Sequence, residues 1–486
     1  MSTLGRIVVA GGGLAGITAA IALGEAGADV TLVEARPRLG GATTSFSRGG
    51  LMVDNGQHVF LRCCVAYRGL LARLGMTGAV SLQERFDVTV LAPGGRAQLR
   101  RTALPGPLHM GQALMGYRFL SRAQRLRVAR AALAMAALNP ARPDLDRQRL
   151  GDWLAAHGQD ERTRRLLWDL FTVSALNVAG DDANLALAAT VVKTALLGAR
   201  DAADIGVPGV PLGDLHGRAA GELLARMGAQ VRLGAKVAAV EVGPGGPAAR
   251  FRVRLAGRGG GALDADRVVL AVPPAVAAKL APADVGGGPA TGNIPGPAQW
   301  RELATSPIVN VHVIYDRRVT RLPFAAAVDS PVQWVFDRTG PSGLRSGQYL
   351  AVSLSAADAY VDVPASALRE QFLPAMAELF PAAREARVTD FFVTRERRAT
   401  LRQVPGCERL RPGAVTALPG LVLAGAWTDT GWPDTMEGAV RSGLNAVRGL
   451  RRELAALPWP AGAVNGSGPV DGPVPASGAA GRGAPA

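Results

Sequence analysis

At 486 residues the chain is long enough for two to four structural units, since domains run to roughly 150 residues each. With 48% hydrophobic and 19% charged residues and no run of eighteen apolar residues, it is not a disordered chain, a collagen-like repeat or a membrane-spanning helix. The net charge of +15 is carried almost wholly by dispersed arginines, Lys193, Lys236 and Lys279 being the only lysines. No zinc-finger spacing or RNA-binding signature accompanies them, which argues against a nucleic-acid partner. Solvated arginine faces are the plain reading, and a weak attraction to anionic lipid headgroups is the alternative. Cys63, Cys64 and Cys407 have no metal-ligand spacing and read as reduced packing thiols.

The opening MSTLGRIVVAGGG has neither a secretory apolar region nor a cleavage site, which predicts a cytoplasmic chain. RIVVA (6–10) predicts a short buried strand, GGGLAG (11–16) a turn, Ile17 to Glu25 a helix, and ADVTLVEA (28–35) a second strand. Gly11, Gly13 and Gly16 form a G-x-G-x-x-G fingerprint between strand and helix. Gly11 permits the tight turn, Gly13 lets the backbone approach a pyrophosphate, and Gly16 lets the helix pack on the sheet. The helix start at Leu14 and Ala15 offers N–H groups and a positive dipole end to phosphate. Glu34 ends the second strand, where a carboxylate can accept ribose hydroxyls.

Helical patterns dominate 108–138 and 147–200; strands return at 229–242, 251–255, 266–274, 308–316, 348–355 and 387–393, with a helix over 365–379. A last strand (420–425) leads through a polar turn into a helix from about Asp434 to Leu454. Eleven of the last 26 residues are Gly or Pro, which predicts a disordered tail. Strands at the start, middle and end point to a cofactor domain built from discontinuous pieces: 1–75, 205–280 and 415–458. A substrate domain (76–204 and 281–414) is inserted between them, and 459–486 is the tail.

The continuation EARPRLGGATTSF (34–46) identifies the dinucleotide: Ala35 and Arg36 follow the acid, and Gly40-Gly41 with Ala42 and Thr43 can wrap back over the same phosphates. This stretch resembles the FAD-binding amine oxidase and carotenoid desaturase superfamily. GAKVAAVEV (234–242) is similar to its adenine-side strand, with Val237 at the contact, and RVVLAVPP (267–274) to its crossover strand. LAGAWTDTGWPDTMEGAVRSG (423–443), with Gly425, is similar to its C-terminal flavin motif. The resemblance implies an α/β fold with a Rossmann-type FAD-binding domain assembled from discontinuous segments and an inserted mixed α+β substrate domain. It also implies that backbone N–H groups of Met436, Glu437, Gly438 and Ala439 face the flavin ring and stabilise negative charge there.

Within the superfamily, VDNGQHVFL (53–61), SALNV (174–178), SPIVNVHVIYDRRV (306–319), QWVFDR (333–338) and FFVTRERRATLRQVPG (391–406) resemble the hydroxysqualene dehydroxylases. That likeness runs from about residue 5 to 450. It implies reductive removal of the hydroxyl of hydroxysqualene, an isoprenoid alcohol, to give squalene in bacterial hopanoid or sterol-like lipid synthesis. Ala426 departs from the acid usual after LAG, so that either flavin affinity is reduced or Asp429 compensates; Trp432 and Asp434 stand where smaller, uncharged residues are common.

The reaction needs a proton donor for the departing hydroxide and a dry, aligned path for hydride. His58, oriented by Asp54, is the candidate acid, with Gly56 and Gln57 of DNGQH beside the cofactor. Asp429, Asp434 and Glu437 are further carboxyl candidates, Glu437 rather as a helix-start residue contacting the cofactor, and the alternative for Asp54 and His58 is that they only fix a turn under the ring. Apolar helices at 108–138 and 185–198 can line a tunnel or form an ordinary core. RFLSRAQRLRVARAALAMAAL (118–138) reads as an amphipathic packing helix, or alternatively as a membrane-docking one. No second glycine fingerprint opens a helix after a strand, so electrons must come from a separate, unidentified donor. Three other functions share the fold: amine oxidation, whose usual lysine is missing from SPIVNVHVIY; carotenoid desaturation; and flavin-free prenyl-lipid carriage, which the intact fingerprint opposes.

Overall fold

The computed structural model describes residues 4–243, 250–257, 260–287 and 294–456. The tail expected to be disordered beyond Pro458 lies outside the described residues, as does part of the Gly/Pro-rich loop at 281–298.

The short apolar strands assemble into one parallel sheet, in the order Gln230–Arg232, Asp29–Val33, Arg6–Ala10, Arg267–Leu270 and Leu421–Leu423. Pieces more than 400 residues apart in the chain thus share one sheet, with Val9 opposite Leu32 on one side and Val269 on the other. Such strands read as continuous hydrophobic runs because both faces are covered. On one face the helix Leu14–Glu25 packs against the C-terminal helix Met436–Ala456. A Cβ at Gly443 would stand 2.4 Å from the Ala15 carbonyl oxygen, so that helix crossing requires glycine. On the other face lies an antiparallel layer of Val237–Val242, Phe251–Leu255 and Ala262–Ala265, whose Val240, Phe251 and Val253 bury against Val8, Val33 and Leu270.

A second sheet has seven strands, ordered Val388–Leu401, Thr305–Tyr315, Gln348–Leu354, Trp334–Asp337, Phe324–Ala327, Asp87–Ala92 and Gly95–Arg100. The helix Ala365–Leu379, at the bounds expected for it, covers one face through Leu368, Phe372 and Met376. A helical layer drawn from residues 111–197 covers the other. The strand expected at 387–393 runs on to Leu401, because its ladder to Thr305–Tyr315 continues beneath the charged side chains of RERRAT.

The helical stretch expected over 108–138 is two helices, Gly111–Gly116 and Arg122–Ala137. Ser121 starts the second with a reciprocal capping box to Gln124. Residues 147–200 form short helices interrupted by wide π turns at Arg164–Trp168 and Val192–Leu197. Among the described residues no helix is long and apolar enough to cross a membrane.

Candidate active site

The turn between the first strand and helix is shaped by contacts that only glycine tolerates. Gly11 has φ +112°, and a Cβ there would lie 2.3 Å from the Ala271 carbonyl oxygen. A Cβ on Gly16 would lie 1.9 Å from the Gly11 carbonyl oxygen. Gly13 differs: a Cβ there would meet only the Gly41 Cα, at 3.7 Å. The protein itself leaves that space open, at the start of a helix with no side-chain cap, where Leu14 and Ala15 begin the first turn. The Gly40 N–H donates to the Gly12 carbonyl (2.8 Å), and Gly40 and Gly41 have φ of +110° and +61°, which folds the second glycine pair over the first. Thr43 closes this loop by donating its N–H (3.0 Å) and hydroxyl (2.9 Å) to the Gly40 carbonyl.

Glu34 accepts from the N–H groups of Gly12 (2.7 Å) and Arg36 (2.8 Å), which fixes the carboxylate beside the cradle. Ala35 and Arg36 are exposed, and Arg36 reaches back to the Gly41 carbonyl (3.3 Å). The backbone of 34–36 accepts from Gly234 and Ala235, and this brings the strand beginning at buried Val237 alongside Glu34. The glycine turn, the Glu34 carboxylate and the strand from Val237 therefore converge, an arrangement suited to a dinucleotide.

From the cradle, the hairpin Ser45–Arg48 and Leu51–Asp54 delivers the chain to Asn55, Gly56, Gln57 and His58. Asn55 received no role from its sequence context, yet it is the hub here. Its Oδ1 accepts from Thr44 N–H (3.0 Å), and its Nδ2 donates to the Ala42 carbonyl (2.8 Å) and Glu396 (3.1 Å). A Cβ on Gly56 would come within 3.1 Å of the His58 ring and 3.9 Å of the Asn310 amide. Gln57 Nε2, His58 Nδ1 and Asn310 Oδ1 are sealed from solvent with no hydrogen-bond partner among the described residues. Buried polar groups are normally partnered, so this trio is suited to a bound polar group. Burial lowers the His58 pKa, against the Gly56 backbone and the Asp54 charge, and the ring is neutral near pH 7.

The expectation that Asp54 orients His58 is corrected. Asp54 accepts from Arg338 (2.6 Å), from the Ser45 hydroxyl (2.6 Å) and from the Leu212 N–H (2.9 Å), leaving His58 Nδ1 without a partner. Arg338 also donates to the Pro208 carbonyl (3.0 Å), so this buried pair joins three distant segments. Arg338 stands in the quoted stretch QWVFDR, but a lone arginine there gives no sign of burial. His216 was likewise unmarked; it shares a 2.8 Å hydrogen bond with the Tyr67 hydroxyl, and burial first, then the His58 charge, lowers its pKa to about 3.

At the C-terminal motif, the N–H of Gly425 (φ +138°) donates to the Ser442 hydroxyl (2.8 Å), and buried Arg411 ties the carbonyls of Ala426, Thr428 and Trp432 together. Two expectations change. The Glu437 side chain does not face a cofactor but turns inward: it accepts from the N–H groups of Ala66 (3.2 Å) and Tyr67 (2.8 Å) at the start of Val65–Arg73, and from Arg441 (2.7 Å). The amides of Gly438 and Ala439 are already engaged by the Thr435 hydroxyl (3.3 Å) and carbonyl (2.9 Å), which leaves Met436 and Glu437 as the amides able to face a ligand. Asp429 is exposed and accepts from its own turn at Gly431, with no described contact toward the place of Ala426. Asp434 accepts from the Leu401 N–H (2.6 Å); burial raises its pKa, opposed by that bond and by Arg411.

The family described as flavin containing amine oxidoreductase matches residues 14–450. The hydroxysqualene dehydroxylase of Rhodopseudomonas palustris is 29% identical over 464 residues, covering 90% of this chain and 96% of its own. The zeta-carotene desaturase of Synechocystis is 23% identical over 504 residues, covering 93% and 98%. An oxidoreductase from Methanosarcina mazei superposes with a TM-score of 0.69 at 18% identity, over 91% of this chain and all of that one. With the Gly13 space, the Glu34 carboxylate and the unpartnered atoms around His58 all suited to a dinucleotide that carries a polar ring, the chain belongs to the flavin containing amine oxidoreductases and its cofactor is FAD.

Proposed function

We propose that this protein reductively removes the hydroxyl of hydroxysqualene to give squalene, as a peripheral protein of the cytoplasmic membrane face served by a separate electron donor. The observation that carries this reading is the nearly whole-length likeness to two hydroxysqualene dehydroxylases, each 29% identical. In the overall change a C–O bond breaks and a C–H bond forms, hydride and a proton are consumed, and water leaves. When bound in reduced form, FAD supplies the hydride.

The chain's own residues hold the cofactor, exclude water and protonate the leaving oxygen. The Gly11–Gly16 turn, Glu34 and Gly40–Thr43 hold the dinucleotide, and the amides of Met436 and Glu437 balance charge on its ring. His58 is the proposed proton donor. Burial keeps the resting ring neutral, so the donor is the imidazolium formed when the ring takes up a proton as substrate binds; its lowered pKa makes it a ready donor to the departing oxygen, and it returns to the neutral ring as water leaves. Asp434, whose carboxyl is held protonated further up the pH scale by burial, is the next candidate.

A second reading is supported by carotenoid desaturases of 23% to 25% identity over at least 91% of this chain: removal of hydride from a polyene by the oxidised cofactor. Amine oxidation lacks support, because Thr305–Tyr315 contains no lysine. The deciding experiment incubates chemically reduced protein with hydroxysqualene without oxygen. Squalene formed in step with flavin reoxidation is the expected result. No squalene, together with dehydrogenation of phytoene by the oxidised protein, establishes the desaturase instead. His58→Ala should lower single-turnover squalene formation by about 10²-fold or more, the lower end for a lost general acid; an unchanged rate removes His58 from the mechanism.

A further inference from the structure

Five of the twelve large hydrophobic residues exposed among the described residues fall within 104–133: Leu104, Leu108, Met115, Leu126 and Leu133, each more than half exposed. The same region is one-signed. From Val88 to Pro143 the chain has no Asp or Glu, and Arg118, Arg122, Arg125, Arg127 and Arg130 lie within thirteen residues. Arg127 pairs with Asp160 and Arg125 is engaged by backbone carbonyls, which leaves Arg118, Arg122 and Arg130 as the cations beside these leucines. Apolar side chains left in water beside cations are what a surface facing anionic lipid requires.

The helix Arg122–Ala137 is turned so that both features share its outer face. Val128, Ala131 and Met135 are its buried residues, whereas Arg122, Leu126, Arg130 and Leu133 are exposed at spacings of three and four, one stripe of a helix. Arg125 is bound to the carbonyls of Met115 and Leu120, which locks the Met115 segment against this helix. Inward, Val128, Ala131 and Met135 belong to the same packed cluster as Leu185, Ala189 and Phe336, and Val59 and Leu61, which follow His58, pack on that cluster.

We propose that the segment 104–133 is the surface by which this protein docks on an anionic lipid bilayer, with Leu126 and Leu133 entering the headgroup region and the flanking arginines pairing with lipid phosphate. The proposal deepens the proposed function, since a C30 alcohol resides in lipid, but binding is measured without substrate. The full-length holoprotein is co-sedimented with vesicles of zwitterionic lipid alone and with one-third anionic lipid, at low and high salt. Expected is binding to the anionic vesicles, weakened by salt, and lowered at least tenfold in Leu126→Glu/Leu133→Glu. The control Leu233→Glu, at an exposed leucine elsewhere, should bind as the parent does; bound-flavin absorbance confirms that each variant is folded. Absence of binding to anionic vesicles overturns the proposal. So does equal binding by the double variant, which would make the attraction one of charge alone, as for a polyanion such as RNA. Detergent-dispersed hydroxysqualene separates the two readings: turnover there without vesicle binding sinks the docking surface alone, and vesicle binding without turnover sinks the substrate alone.

Discussion

Two glycines three residues apart have opposite reasons for being glycine, and that difference can be measured. At Gly16 a methyl group would lie 1.9 Å from backbone, so Gly16→Ala should destabilise the fold even without cofactor, by about 1–3 kcal/mol as for other overpacked sites. At Gly13 a methyl group meets nothing closer than 3.7 Å, so Gly13→Ala should leave the apoprotein's melting temperature in place and lower FAD affinity instead. Paired melts and flavin titrations check both; loss of apoprotein stability in Gly13→Ala would contradict the assignment of its space to ligand. The fingerprint was legible because each glycine acts within a local strand-turn-helix unit. Asn55, Arg338 and His216 were not, because their partners lie up to 341 residues away and nothing near them in sequence marks the contact. The same distance explains the error at Asp54: next to His58 it reads as an orienting acid, whereas its guanidinium partner is 284 residues on. Replacing Arg338 with Met should cost about 3–5 kcal/mol by leaving a buried carboxylate unpaired, and adding Asp54→Asn should recover a large part. A chemical-denaturation double-mutant cycle reads that recovery, and additive losses would refute the pairing.

Among the elements, periodicity located those with one dry face and one wet face. The helix Ala365–Leu379 was legible at both ends, since its buried Leu368, Phe372, Met376 and Leu379 repeat at helical spacing. The charged half of Val388–Leu401 was not, because strand pairing there is carried by backbone bonds beneath side chains that read as loop. The start of the C-terminal helix was placed two residues early, and its Glu437 was misread as facing ligand. A carboxylate in a first helical turn usually serves its own helix, whereas this one caps the neighbouring helix Val65–Arg73, whose Cys64 supplies no side-chain cap. Glu437→Ala should therefore uncap that helix and free Arg441, lowering stability by about 1–3 kcal/mol. Glu437→Gln, which retains one acceptor oxygen, should lose less. Thermal melts of the two apoproteins test this, and equal stability of Glu437→Ala and the parent would exclude the cap.

At the scale of the whole molecule, the sealed interior holds imidazoles that cannot take a proton where they sit, which sets the response to acid. Burial lowers the pKa of His216 and of His312 to about 3, against an ordinary value near 6.5 in the unfolded chain. Between those values the unfolded state binds more protons, so stability falls as the pH falls, by on the order of 3 kcal/mol for each ring at pH 4. Asp169 works the other way. Burial and Asp181 raise its carboxyl to about 6, so below pH 6 the folded state holds a proton that the unfolded state lacks, returning about 2–3 kcal/mol by pH 4. Burial also raises Glu408, Asp434 and Glu453 and lowers His58 and His109, so acids and rings oppose one another; with the two deeply shifted rings dominant, the denaturation midpoint of the apoprotein should drop between pH 7 and pH 4.5. His312 contributes through a ring stacked on Phe392 at 4.4 Å and hydrogen-bonded to Tyr349 (2.7 Å) and Thr394 (2.9 Å). His312→Gln keeps a polar group for those hydroxyls but removes the titration, so the variant should be less stable at pH 7 and lose less on acidification. A midpoint that holds steady to pH 4.5 in the parent, or an undiminished acid loss in His312→Gln, would show that these rings are reached by protons in the folded state.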